Sequence, residues 1–149
     1  MVLNKLKSPK GKLETLLKTS GLRITPQRQA ILEELNRTNE HRDVEEIYSS
    51  LKKRKIMVSR ATLYRTLELL VTQKLIRRLD LGEGKLRFES REGEHHDHII
   101  CIECDKIIEF VDERIEELQE KIAKFYGFTL DRHVHQLFGH CSDNNCPNK

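Results

Sequence analysis

Val44, Ile47, Tyr48 and Leu51 recur at i, i+3, i+4 and i+7, the spacing that puts four apolar side chains on one face of a helix. The basic run Lys52-Lys53-Arg54-Lys55 closes that helix. Upstream, a short amphipathic helix is predicted over Lys12 to Thr19, ended by Ser20-Gly21. Thr25-Pro26 then supplies an N-cap followed by proline at the first helical position, and a second helix is expected to run to about Arg37. After Ile56-Met57-Val58, Ser59 caps a fourth helix whose Leu63, Leu67, Leu70 and Val71 share one face. Arg60, Thr62, Tyr64 and Arg65 lie near its start and outside that stripe. A hairpin follows: Leu75 to Leu79, a Gly82-Glu83-Gly84 turn, and Lys85 to Glu89. Helix, turn, helix and β-hairpin in this order predict a winged helix-turn-helix, whose second helix of the pair enters the DNA major groove.

Arg91-Glu92-Gly93-Glu94 contains no apolar residue, and a hinge is expected over 91–94 between a DNA-binding domain at 1–90 and a second domain at 95–149. The second domain reads β-β-α-β. Ile99-Ile100-Cys101 and Ile107-Ile108-Glu109-Phe110 are expected strands, Ile115, Leu118, Ile122, Phe125 and Tyr126 make a helical stripe, and Phe128 to Phe138 alternates as a final strand. The fold class expected is α+β: a winged helix joined to a C-terminal α/β dimerisation domain. Some 55 residues bury too little surface to stand alone, so this domain should depend on zinc and on a partner subunit.

Composition adds little: 37% hydrophobic residues, five Phe and no Trp in 149 positions describe a soluble chain with a modest core. Charge adds more. Residues 1–90 hold 20 Lys+Arg against 11 Asp+Glu, whereas residues 91–149 hold 7 against 13. A basic half beside an acidic, His- and Cys-rich half suggests a phosphate-binding module joined to a metal-binding one.

The four cysteines fall as Cys101-x2-Cys104 and Cys141-x4-Cys146, with Glu94-His95-His96-Asp97-His98 just upstream. Two close pairs about forty residues apart can give four thiolates to one tetrahedral Zn²⁺. The alternatives are disulfides and a redox dithiol. Disulfides need an oxidising compartment, and Met1 to Lys7 has no apolar signal-peptide core, so a cytoplasmic chain with no membrane span is expected. Cys101-Ile102-Glu103-Cys104 lies in a strand-like run instead of at a helix start, which argues against the dithiol. The imidazoles and carboxylates suit a harder, exchangeable divalent ion. Along a strand His96 and His98 point one way and His95 and Asp97 the other, so one segment can feed two sites. Two kinds of metal site in one small chain suggest a sensor. A zinc hydrolase is disfavoured, since the chain has no H-E-x-x-H motif and no evident base beside an open metal position. A DNA-packaging or adaptor protein with structural zinc alone is a further alternative, separated by whether binding responds to added Fe²⁺ or Mn²⁺.

Gly21-Leu22-Arg23-Ile24-Thr25-Pro26-Gln27-Arg28, Ala61-Thr62-Leu63-Tyr64-Arg65, His95-His96-Asp97-His98-Ile99-Ile100-Cys101-x2-Cys104 and Gly139-His140-Cys141-x4-Cys146 together resemble the ferric uptake regulator family of metal-dependent bacterial repressors, over nearly the whole length. The resemblance implies a structural zinc on Cys101, Cys104, Cys141 and Cys146. It implies a regulatory ion, Fe²⁺ or another divalent such as Mn²⁺ or Zn²⁺, on His41, Glu89, His96, His98 and Glu109. It implies a third site on His95, Asp97, Glu116 and His133. His135 and His140 match no ligand position and are expected to be structural.

The same resemblance implies a regulator and not an enzyme, a homodimer or a tetramer, bound to palindromic, A·T-rich double-stranded operator DNA. Tyr64 and Arg65 would contact base edges or phosphate, and Arg23 would enter the minor groove. An ion joining His41 and Glu89 to the ligands beyond the hinge would fix the orientation of the two domains. Within the family, peroxide-, zinc- and manganese-sensing members are the alternatives. Glu89 and Glu109 stand where peroxide sensors usually carry Asp, although His41 and His96, the imidazoles oxidised in that branch, are present. Zinc sensors often bring another cysteine into the regulatory site, and all four here are committed elsewhere.

Overall fold

The structure, a computed structural model, describes residues 23–91, 95–142 and Cys146, together with Gly11 and Thr15. Gly11 and Thr15 are helical and the Thr15 hydroxyl donates to the Gly11 carbonyl at 2.9 Å. The rest of the helix expected over Lys12 to Thr19 lies outside the described residues. The chain divides into two compact units, Met1–Gly93 and Glu94–Lys149.

In the first unit each helix starts where a side chain replaces a missing backbone partner. The Thr25 hydroxyl accepts the Arg28 N–H, and Pro26 opens α1 (Pro26–Leu35). Asp43 and Glu46 form a reciprocal capping box for α2 (Val44–Lys53). Ser59 accepts the Thr62 N–H and opens α3 (Arg60–Thr72). β1 (Ile76–Asp80) pairs antiparallel with β2 (Leu86–Ser90), each one residue later than the sequence pattern suggests. Between them Gly82 and Gly84 take φ of +86° and +78°, which glycine adopts without steric penalty. α1 ends at Leu35, two residues before the expected Arg37, because the Asn36 N–H already closes the last turn on Leu32.

Ile31, Leu32, Leu35, Ile47, Leu51, Leu63, Leu67, Leu70 and Phe88 are almost wholly buried in one cluster from all three helices and the hairpin. Each such aliphatic side chain contributes about 1.5–3 kcal/mol. One carboxylate sits beside this core. Glu34 accepts from Arg42 at 3.0 Å, Ser50 at 2.6 Å and Arg54 at 2.6 Å, while Arg42 also donates to the Glu34 carbonyl. Burial alone would raise its pKa, but the donors Ser50, Arg42 and Arg54 outweigh it and hold the group at about 2. Arg42 in turn exchanges both backbone hydrogen bonds with Phe88, at 3.0 and 2.8 Å. Glu34 thereby fixes the segment that carries His41 beside the strand that carries Glu89.

The second unit is a three-stranded sheet of order β4-β3-β5 with one helix. β3 (Asp97–Cys101) pairs antiparallel with β4 (Ile107–Phe110) and parallel with β5 (Gln136–Gly139), and α4 (Glu113–Phe125) lies between β4 and β5 in the chain. β5 is much shorter than the strand expected over Phe128 to Phe138. Its partner β3 offers pairing only from His98, opposite Gln136, so residues 128–135 have no ladder to join among the described residues. No described helix is long and apolar enough to cross a membrane.

Candidate metal centres

Sheet register brings the cysteines together. Cys101 ends β3 opposite Gly139 at the end of β5, and the Ile102 N–H donates to the Gly139 carbonyl at 2.9 Å. Cys141, two residues on, therefore meets the turn carrying Cys104, with Cys104 Sγ and Cys141 Sγ 3.8 Å apart. That is the S···S edge of a tetrahedron with Zn–S bonds of about 2.3 Å. All four thiols are free, so the disulfide reading is set aside, and their sulfurs lie within 4.8 Å of one another. The N–H groups of Cys104 and then Glu103 lower the Cys101 thiol to about 6, whereas the hydrogen bond with Cys101, then burial, push Cys141 up to about 12. Four thiolates this close ionise together only around a cation, and the donor set fits Zn²⁺.

A second group gathers around His95 and Asp97. His95 Nε2 is 3.3 Å from both Asp97 Oδ1 and Glu116 Oε1, and His133 Nε2 is 3.4 and 3.6 Å from the same two oxygens. These separations are long for hydrogen bonds but near the edge of about 3.3 Å expected between ligands on a tetrahedral ion with bonds of about 2.0–2.1 Å. Asp97 Oδ2, Glu116 Oε1, His133 Nε2 and His135 Nδ1 are buried and make no hydrogen bond among the described residues. So many buried polar atoms without partners in one place call for a cation, and two imidazoles with two carboxylates suit a divalent one.

The residues assigned by resemblance to the regulatory ion fall in both units. In the first, His41 Nε2 is 2.9 Å from Glu89 Oε2, with the Arg77 guanidinium 3.5 Å from the other Glu89 oxygen. In the second, His98 stands opposite Glu109 in the β3–β4 ladder. The rings of His96 and His98 meet edge to face with centroids 5.0 Å apart, and His96 Nε2 is 3.8 Å from Glu109 Oε1. The alternation expected along the segment is present: His96 and His98 belong to one group, His95 and Asp97 to another.

Of the residues expected at DNA, Tyr64 is 51% exposed on α3 and Arg65 beside it is exposed, while Leu63, Thr66 and Leu67 on either side turn inward. Arg23 is exposed ahead of α1. Arg60 is engaged differently: it pairs with both oxygens of Glu45 at 2.8 Å and covers the Tyr48 ring. His135, expected to be merely structural, has its Nδ1 3.3 Å from Asp97 Oδ2. Its separation of two from His133, the parity of one strand face, was the only sequence signal for that placement.

The chain is 37% identical over 134 residues to the ferric uptake regulation protein of Cupriavidus metallidurans, covering 89% of this chain and 94% of that one. Its structure is similar to the Helicobacter pylori ferric uptake regulator, described as having three functional metal-binding sites, with a TM-score of 0.80 at 35% identity over 92% of this chain and 91% of that one. It is also similar to the Pseudomonas aeruginosa ferric uptake regulator with manganese, with a TM-score of 0.78 at 30% identity over 87% of this chain and 98% of that one. The profile of the Ferric uptake regulator family matches residues 19–138, a span that includes all three helices of the first unit and the segment from His95 to Cys104, and this chain belongs to that family of metal-responsive transcriptional regulators.

Proposed function

We propose that this chain is a dimeric repressor that binds palindromic, A·T-rich operator DNA in the cytoplasm when loaded with Fe²⁺. The observation that supports this best is the division of one donor set between the units. His41 and Glu89 alone form a two-ligand half, and His96, His98 and Glu109 a three-ligand half. Sharing one divalent ion between them would fix the orientation of the DNA-binding unit relative to the dimerising one, and a dimer so fixed can present two α3 helices to half-sites on one face of the duplex. The ion acts only through its preference for that closed arrangement; about 5.5 kcal/mol would move an equilibrium from 1:99 to 99:1. Exposed Tyr64 and Arg65 read base edges and phosphate, and Arg23 favours a narrow minor groove. Cys101, Cys104, Cys141 and Cys146 hold a structural Zn²⁺, and His95, Asp97, Glu116 and His133 hold a third ion. Fe²⁺ is favoured over peroxide sensing by glutamate at 89 and 109, and over zinc sensing by the commitment of every cysteine to the structural site.

The deciding experiment is a Mn²⁺ titration of DNA binding, read by fluorescence anisotropy on an A·T-rich inverted repeat. His41→Ala should retain zinc and dimerise, yet need about 10- to 100-fold more Mn²⁺ for the same binding, the usual effect of disturbing a metal site. A His41→Ala midpoint equal to the parent's would sink the bridging mechanism. Metal analysis of protein purified without oxygen identifies the ion, and oxidation of His41 or His96 by micromolar peroxide would move the chain to the peroxide-sensing branch.

A further inference from the structure

His135 stands against the His95/Asp97/Glu116/His133 group in a way that its neighbours explain. Its carbonyl accepts the His98 N–H at 3.3 Å, which pins the backbone beside β3 just ahead of β5. Its ring meets the Phe110 ring edge-on, with centroids 5.9 Å apart at 74°, so packing sets the ring plane. In that plane Nδ1 lies 3.3 Å from Asp97 Oδ2. The other oxygen of the same carboxylate, Oδ1, faces His95 and His133 at 3.3 and 3.4 Å. Asp97 is only 1% exposed, and its Oδ2 and His135 Nδ1 make no hydrogen bond, with each other or with any other described residue. His135 is not one of the four residues whose donor atoms all lie within 4.8 Å of one another. It therefore sits behind the ligand group and not in it.

We propose that His135 is a positioning residue of this cluster: when an ion draws Asp97 Oδ1 into its shell, His135 Nδ1–H, already 3.3 Å away, donates to Oδ2, reserves Oδ1 for the metal and keeps the site four-coordinate, which selects Zn²⁺ over Mn²⁺ or Fe²⁺. A carboxylate offers a metal one oxygen or both, and ions that favour six ligands gain from the second. With Oδ2 held by His135, the cluster presents two nitrogens and two oxygens, the closed tetrahedral set that zinc accepts most readily. The inference rests on reading the cluster as a metal site, and the experiment separates the two.

Full-length protein with zinc at the cysteines and the substitutions His41→Ala and Glu109→Ala, which weaken the regulatory set, is titrated with Co²⁺. Four-coordinate Co²⁺ absorbs strongly in the visible and six-coordinate Co²⁺ weakly. The parent background should show the strong bands, and Zn²⁺ should displace them. His135→Leu should weaken the bands and lower Co²⁺ and Zn²⁺ affinity about 10- to 100-fold, as losing an outer hydrogen-bond partner does, with Mn²⁺ affinity changing less. His135→Asn, whose side-chain amide can place an N–H near the position of Nδ1, should restore both. Zinc content and a thermal melt confirm the fold of each protein, and His135→Ala replaces His135→Leu where leucine is not accommodated. Parental affinity and spectrum in His135→Leu, or no recovery in His135→Asn, overturns the positioning role while the metal site stands. A background protein with no four-coordinate Co²⁺ overturns the metal site and the positioning role together.

Discussion

The two units hold themselves together by different means. All twelve residues of the buried apolar cluster belong to the first, drawn from three helices, a hairpin and the segment ahead of α3. In the second, the fully or nearly buried residues among those described are Ile100, Ala123, Cys101, Cys146, Asp97 and His98, four of the six being groups assigned to metal. Its larger apolar side chains, among them Ile99, Leu118, Ile122, Phe125, Phe128 and Phe138, are 41–82% exposed. α4 buries only Ala123. A unit this small cannot enclose a core of its own, and bonds to an ion together with a partner surface replace what packing supplies in the first. The lesson is that the first unit can take its stability from packing and still lend His41 and Glu89 to a metal set, whereas the second buries mainly the ligands themselves.

The harshest test of that contrast is Cys104→Ser. Apparent zinc binding by structural sites is worth about 10–16 kcal/mol, and it is folding energy where the site does not exist in the unfolded chain. Metal analysis should find the zinc gone, and hydrogen exchange should find the second unit unprotected while α1, α2 and α3 stay protected. A zinc-free protein with a protected β3 would show that the small sheet stands without its ion.

The converse test breaks the first unit and spares the second. Glu34→Ala leaves Arg42 buried without its carboxylate, and removing one partner of a buried ion pair costs about 3–5 kcal/mol. Zinc content should not change. The same carboxylate predicts an acid dependence. Its folded pKa, about 2, lies below the ordinary 4.5, so its contribution is complete above the ordinary value and is lost as pH falls from 4.5 towards 2. The loss amounts to about 3 kcal/mol. Urea midpoints of the first unit should therefore fall over this window in the parent and remain flatter in Glu34→Gln; parallel curves would remove Glu34 from the explanation.

What the sequence made legible follows the same division. Thr25-Pro26 and Ser59 announce their helices through bonds made within three residues, so those starts were readable from local pattern alone. Glu34 gave no such sign, because Arg42, Ser50 and Arg54 are 8 to 20 residues away and only the fold unites them. The alternation from Phe128 to Phe138 looks the same whether or not a neighbouring strand is present, and pairing, which is non-local, decided that only Gln136–Gly139 joins the sheet. The cysteine spacing pointed to zinc from residue chemistry, whereas the other two ligand sets needed the family resemblance, since a histidine or glutamate on an acidic surface is ordinary. His135 was legible only as a second histidine of the same parity as His133.

The smallest effect on folding and the sharpest discrimination between the units should come from Leu118. It lies on the exposed stripe of α4 with Ile122 and Phe125, at 56% exposure, whereas Leu67 in α3 is fully buried. Leu67→Ala should cost about 2–5 kcal/mol, as deletion from a packed core does. Leu118→Ser removes little that the single subunit buries, so at dilutions where the protein is monomeric its unfolding free energy should stay within about 0.5 kcal/mol of the parent. Self-association should respond instead: truncating an anchor at an interface costs more than about 1 kcal/mol, which is roughly a fivefold or greater rise in the dimer dissociation constant, read by sedimentation equilibrium. Zinc should remain bound, because the cysteines lie at the far ends of β3 and β5 and not on α4. A Leu118→Ser monomer destabilised as much as Leu67→Ala would mean that α4 is part of a core after all, and the contrast between the units would fall. An unchanged dimer would leave the contrast intact but move the partner surface away from this helix.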